Sequence, residues 1–232
     1  MRPQHLFLLL MILGASGCGS SVPEPPATAM DQEAWAALAD RGIALAPGTG
    51  VQVLASSPDA PNFFADELHI SLQAALLGIN VVPPDDVFAR LEAAGPDAQA
   101  RMRSLRRRLI REEELVAAEC SGLAQDLSER FLFVTFLDEG SEEGLYRMNL
   151  DDYQAFEYDM KVHEYSTDEL HGIARGFVVD LEEGRWVWRQ DIEYLSEGLE
   201  SAGSASRRLI ERTRADAAFR LAEALAGSEH GD

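Results

Sequence analysis

The sequence predicts an α+β domain, an α/β sandwich whose mixed, partly antiparallel sheet carries helices packed mainly on one face. Three observations lead there. The first half alternates short apolar runs with stretches of helical period, the order of a mixed sheet with helices packed against it. Residues 131–137 (FLFVTFL) are continuously apolar, as in a strand buried on both faces. The last third shifts to a period of two, the mark of antiparallel strands with one face packed.

Taken in order, residues 50–55 (GVQVLA) alternate like a short strand, bounded by Pro47-Gly48 and Ser57-Pro58. Asn62 can cap a helix in which Phe64, Leu68, Leu72, Ala75 and Leu76 recur at helical spacing. Gly78 supplies its left-handed terminator. Residues 79–82 form a second strand, stopped by Pro83-Pro84. Asp85 or Asp86 starts another helix, with Val87, Phe88 and Leu91 apolar and Gly95 ending it. An arginine-dense helix follows over 101–111, with Met102, Leu105, Leu109 and Ile110 on its packing side, and it joins a helix running to Leu127. After the FLFVTFL strand, Phe156, Tyr158, Met160 and Val162 alternate with charged residues and His163 as a half-buried strand. Residues 174–181 and 185–194 form a hairpin about Glu182-Glu183-Gly184, with Gly184 supplying a positive φ. Alternation puts Trp186 and Trp188 on one face of it. Ser204 begins a closing helix with Ile210, Ala217, Leu221 and Leu225 apolar.

The N-terminus reads as a targeting signal. Arg2 and His5 precede an apolar run over 6–13, far short of the roughly 20 residues of a membrane-spanning helix and matched to a signal-peptide core. Gly14, Ala15, Ser16 and Gly17 then lead to Cys18. This resembles the lipobox of bacterial lipoproteins, which implies a signal peptide over 1–17, acylation of the Cys18 thiol and stable anchoring by several chains. Gly19 follows instead of Asp, and by resemblance to proteobacterial sorting this implies the outer membrane, facing the periplasm. The stretch that follows is rich in Pro, Ser and Ala, so 18–33 reads as lipidated cysteine and tether. One globular domain is expected over 34–226 and a disordered tail over 227–232. Cys120 then has no intramolecular partner, and its apolar helical setting predicts a buried, inert thiol. The formal net charge of −20, from 20 basic and 40 acidic residues, argues against nucleic acid as a partner.

Four passages carry a family resemblance. They are FFADELHISLQAALLG, the strand INVVPPDDV, the passage LAQDLSERFLFVTFLDEG and the hairpin GFVVDLEEGRWVWR. In this order they resemble envelope lipoproteins that share the fold of the curli secretion channel periplasmic domain, the Tol-Pal β-propeller protein N-terminal domain and the lipoprotein activators of penicillin-binding proteins. The resemblance implies a fold used for protein–protein contact in the envelope. The arginine-rich helix stands apart as an insertion. Pore formation is not implied, because no pair of long amphipathic strands is present.

Candidate chemistry is sparse. No Gly-x-Ser-x-Gly elbow occurs, and Gly48-Thr49-Gly50 precedes a strand and lacks a lysine, so it reads as a turn. His163, Asp168, Glu169, His171 and Asp180 are the nearest thing to a metal or acid–base cluster, but their spacing matches no ligand pattern. No catalytic residue, metal or cofactor is expected. Arg101, Arg103, Arg106, Arg107, Arg108 and Arg111 form a dense basic segment in an acidic chain. They either dock an acidic partner or headgroup, or pair with Glu112, Glu113 and Glu114 on a solvated helix. Trp186 and Trp188 are either a partner-binding face or core. The expected function is a non-enzymatic lipoprotein that binds another envelope protein. The alternatives are a metal-assisted hydrolase using His163 and His171, and a homo-oligomeric subunit of an export assembly.

Overall fold

The computed structural model describes residues 29–52, 58–140, 169–197 and 204–228. The signal peptide, Cys18, the strand expected over 156–162, His163 and Asp168 lie outside the described residues. Asp31 caps α1 (Gln32–Arg41), its Oδ1 accepting from the Ala34 N–H at 2.7 Å. Met30 is already buried, so the fold begins inside the stretch that composition assigns to the tether. The order continues β1 (Ile43–Leu45), β2 (Thr49–Gln52), α2 (Ala60–Ala75), β3 (Val81–Val82), α3 (Pro84–Ala94), α4 (Pro96–Ile110) and α5 (Ala117–Leu127). Then come β4 (Phe131–Gly140), β5 (Glu169–Asp180), β6 (Arg185–Glu197) and α6 (Ser204–Gly227).

The sheet has the order β3-β1-β4-β5-β6, and β2 takes up the pairing with β4 where β1 leaves off. β1, β2 and β4 run parallel, as do β1 and β3. β5 and β6 add antiparallel. This is the mixed α+β sheet that the sequence predicts, with one refinement: helices cover both faces. One core joins α1, α2 and α6 to Ile43, Leu45, Phe131, Phe133, Val178 and Trp188. The other joins α3, α4 and α5 to Ala44, Leu132, Val134, Phe136, Phe177 and Val179. Connection handedness explains the division. The crossover through α2 steps outward from β1 to β3, and the one through α3–α5 steps back past β1 to β4. Crossovers of the same hand running in opposite directions along a sheet leave their helices on opposite faces. The doubly apolar FLFVTFL run is the sequence signature of that layering.

Local differences from the sequence reading have identifiable causes. α2 starts at Ala60 with Asp59 as cap residue, ahead of Asn62, because Pro61 is suited to a first helical turn. The arginine-rich helix does not run on to Leu127. α4 ends at Ile110, and Glu112 adopts φ 54° before α5 begins. Gly48 allows the bend between β1 and β2 to lie on the start of α2, since a Cβ there would fall 1.8 Å from the Pro61 carbonyl oxygen.

Trp186 and Trp188 do not share a face. The β5–β6 register pairs Trp188 with Val178 and Trp186 with Val179, leaving Val187 as a bulge. An extra residue in one strand reverses the side-chain alternation beyond it. Trp188 is therefore fully buried against Phe133 in the α1–α2–α6 core, with ring centroids 5.6 Å apart. Trp186 lies on the other face, edge-on to Phe177 at 6.4 Å.

α6 is tied to the sheet by a buried polar network. Arg214 grips Glu139 with both forks, Nε to Oε1 and Nη2 to Oε2, each at 2.6 Å. The Tyr194 hydroxyl donates to the same Oε1 at 2.7 Å.

Candidate functional site

The arginines of α4 are largely engaged within the fold. Arg101 pairs with Asp126 on α5. Arg106 donates from Nη2 to the Pro47 carbonyl at 2.7 Å. Arg108 donates to the Glu114 carbonyl at 3.0 Å and stands 3.7 Å from Glu113, which Arg111 also approaches. Arg107 is engaged as well. Glu112, a candidate partner for Arg108 by spacing, instead meets Arg189 of β6 at 2.8 Å. Arg103 is exposed. The basic run thus fastens α4 to α5 and to the β1–β2 bend, and leaves Arg103 at the surface.

The hairpin residues divide in the same way. Trp188 is core, and Trp186 retains 37% of its exposure. Asp180 is buried and accepts from Arg130 Nε and Nη2 and from the Glu182 and Glu183 N–H groups. It closes the turn in which Gly184 takes φ 68°. That role explains the Asp-x-x-x-Gly spacing of the hairpin by turn geometry. His171 lies nine residues away on the same strand, about 30 Å at the rise of an extended chain, so His171 and Asp180 cannot share a site. Among the described residues, no group of three metal-ligating side chains converges.

What the structure does assemble is a cleft of about 750 Å³ between α2, α3 and α4, opening beside Pro47 and Gly48 where β1 ends. At such positions in an open sheet, chain leaving adjacent parallel strands for helices on different faces leaves a crevice. Leu91 and Met102 line it and are buried, while Phe88 lines it with 51% of its surface exposed. Asp66 from α2 and Asp85 and Glu92 from α3 contribute carboxylates, and Arg103 and Arg106 come from α4. Partial burial, reinforced by the Asp85 charge, holds the Asp66 carboxyl above its ordinary pKa. The sequence identifies Arg103 and Arg106 of this site but misses Asp66, Asp85 and Phe88. Phe88 fits the helical pattern of a core residue, yet Pro84, Val87 and Leu91 are the buried residues of α3, and Phe88 stands at the cleft.

The cleft and the entry of the chain lie at different edges of the sheet. Asp31, at the start of α1, meets Arg185 of edge strand β6 at 3.2 Å. From there α1 crosses to β1, three strands away, and its 10 residues supply about 15 Å for a distance of about 14 Å. The cleft opens on the far side, beside β1 and β3.

No family model matches the chain, and no curated protein matches it. Among solved structures, the chain is similar to the PelC dodecamer from Paraburkholderia phytofirmans at 9% identity, covering 79% of this chain and 86% of that one with a TM-score of 0.41. It is also similar to lipoprotein GNA1162 from Neisseria meningitidis at 12% identity, covering 73% of this chain and 92% of that one with a TM-score of 0.44.

Proposed function

We propose that this chain is a lipid-anchored envelope protein, held at the periplasmic face of the outer membrane through Cys18, that binds another envelope protein and catalyses no reaction. The observation that carries the reading is the cleft itself, an apolar-floored opening with an exposed aromatic and charged rim. It lies at the sheet edge opposite Asp31, where the tether enters. A protein leashed at one edge offers its other edge to partners away from the lipid. The lipobox-like residues 14–18 and the resemblance of the hairpin and strand passages to envelope lipoproteins support the same reading.

The test is photocrosslinking from the position of Phe88 in intact envelopes, followed by capture of the lipidated protein. The reading expects a discrete protein adduct, together with metabolic incorporation of fatty acid that Cys18→Ser abolishes. Absence of any protein adduct at Phe88 or at Trp186, another exposed aromatic, would refute partner binding.

A further inference from the structure

We infer that the cleft takes a segment of the partner protein carrying a lysine or arginine side chain next to an apolar one. This rests on the reading of the cleft as a partner's contact surface and adds the chemistry of what enters it.

Phe88 supplies the apolar contact of the cleft. It keeps 51% of its surface in water beside Leu91 and Met102, which are 5% and 2% exposed. An aromatic ring left open next to a buried apolar floor, within a charged rim, is the pattern of a surface that a second protein covers. The cavity, about 750 Å³, holds a few side chains, the size that suits a short segment and not a folded domain.

The charged contact is the pair Asp66 and Asp85. They reach one cavity from two different helices, and partial burial together with the Asp85 charge holds the Asp66 carboxyl above its ordinary value. A cationic side chain entering the cavity meets both carboxylates. Glu92 adds a third carboxylate, so the lining sets three acidic side chains against Arg103 and Arg106 and keeps a net negative charge. Arg106 stays charged while it donates to the Pro47 carbonyl, and Arg103 stands at the exposed rim. The net charge of −20 further favours the approach of a cationic segment, an attraction that salt screens over about 8–10 Å.

The experiment uses the full-length protein in neutral-lipid nanodiscs and three sets of labelled eight-residue peptides. Each peptide has one Phe or Leu flanked by Lys/Arg, by Glu, or by Ser. The lysine/arginine set is expected to bind saturably and to weaken as salt rises. Asp66→Asn with Asp85→Asn should lower its affinity about fivefold, the sum of two exposed charge contacts. Phe88→Ser should lower it further, and Arg103→Gln should not weaken it. All four substitutions are at exposed positions, and an unchanged thermal midpoint checks the fold. Preference for the glutamate set, or equal binding by all three sets, overturns the inference, as does binding indifferent to Asp66, Asp85 and Phe88. The envelope crosslink separates the two claims. A partner still captured while no lysine/arginine peptide binds leaves the partner-binding reading intact and removes only this one.

Discussion

Replacing Arg214 with Met should destabilise the domain severely, and the structure allows the size to be worked out. Arg214 is 2% exposed and Glu139 0%, and the guanidinium makes two hydrogen bonds of 2.6 Å to the carboxylate. Methionine fills much of the arginine stem but leaves Glu139 with only the Tyr194 hydroxyl as a partner. Breaking a buried pair from one side costs about 3–5 kcal/mol, because the remaining charge stays desolvated. In a domain of this size each kcal/mol lowers Tm by about 2–4 °C, so a fall of roughly 6–20 °C is expected. The double variant Arg214→Met/Glu139→Leu removes both charges and should recover much of the loss, since apolar replacement of a buried pair is often near neutral. Thermal and urea unfolding of the two single variants and the double variant measures the coupling directly. An Arg214→Met protein within 1 kcal/mol of wild type, or a double variant as unstable as the two single losses summed, would refute the claim that unpaired charge sets the cost.

Three further outcomes can be checked on the same material. Burial, with a contribution from Glu139, raises the Asp138 carboxyl to about 6 despite Arg175 nearby. The unfolded chain then loses this proton first, so stability should fall as pH rises from about 4 to about 6. Asp138→Asn should abolish that slope and stabilise the protein at pH 7.5 by about 1–2 kcal/mol, and an unchanged slope in urea titrations would refute this. Burial likewise pushes the Cys120 thiol up to about 11, so it should resist a thiol reagent at pH 8 until the protein unfolds, and stability should decline between pH 9 and 11 as the unfolded chain ionises first. A Cβ at Gly172 would fall 2.1 Å from the Tyr194 ring, so Gly172→Val should cost about 1–3 kcal/mol by displacing that ring, and a crystal structure or tyrosine fluorescence would register the move.

Most of the architecture was legible because periodicity reports burial. The FLFVTFL run, the Pro83-Pro84 stop and the hairpin about Gly184 all correspond to observed boundaries. β1 was not, because its three residues, Ile43–Leu45, are too few to show a period. α1 was hidden by Trp35, Ala36 and Ala37 beside a proline-rich stretch, with only Ala34 and Leu38 fully buried along its length. The Val187 bulge was invisible for a different reason. Alternation counts residues, and only pairing with β5 reveals that one residue in β6 has no counterpart. The candidate site was the least legible part. Its arginines stood out as a run, yet pairing consumed most of them. Its carboxylates and Phe88 come from α2 and α3, separate in sequence, and acquire meaning only when the layers close.

The mixed sheet also divides the contacts that the folding chain must make into local and distant ones. Asp180 pairs with Arg185 across a four-residue turn, and α6, next in the chain, packs on the resulting hairpin. These contacts are local and can form early. By contrast, Ile43 must find Val81, and Ala44 must find Leu132, pairings that wait on long loop closures. A chain in which β4 has docked on β5 ahead of the packing of α3–α5 leaves Leu132, Val134 and Phe136 uncovered. That half-assembled form, with one apolar face bare, is the species expected to aggregate or to need a holding chaperone. Refolding should therefore lose yield with rising protein concentration before the parallel strands are in place.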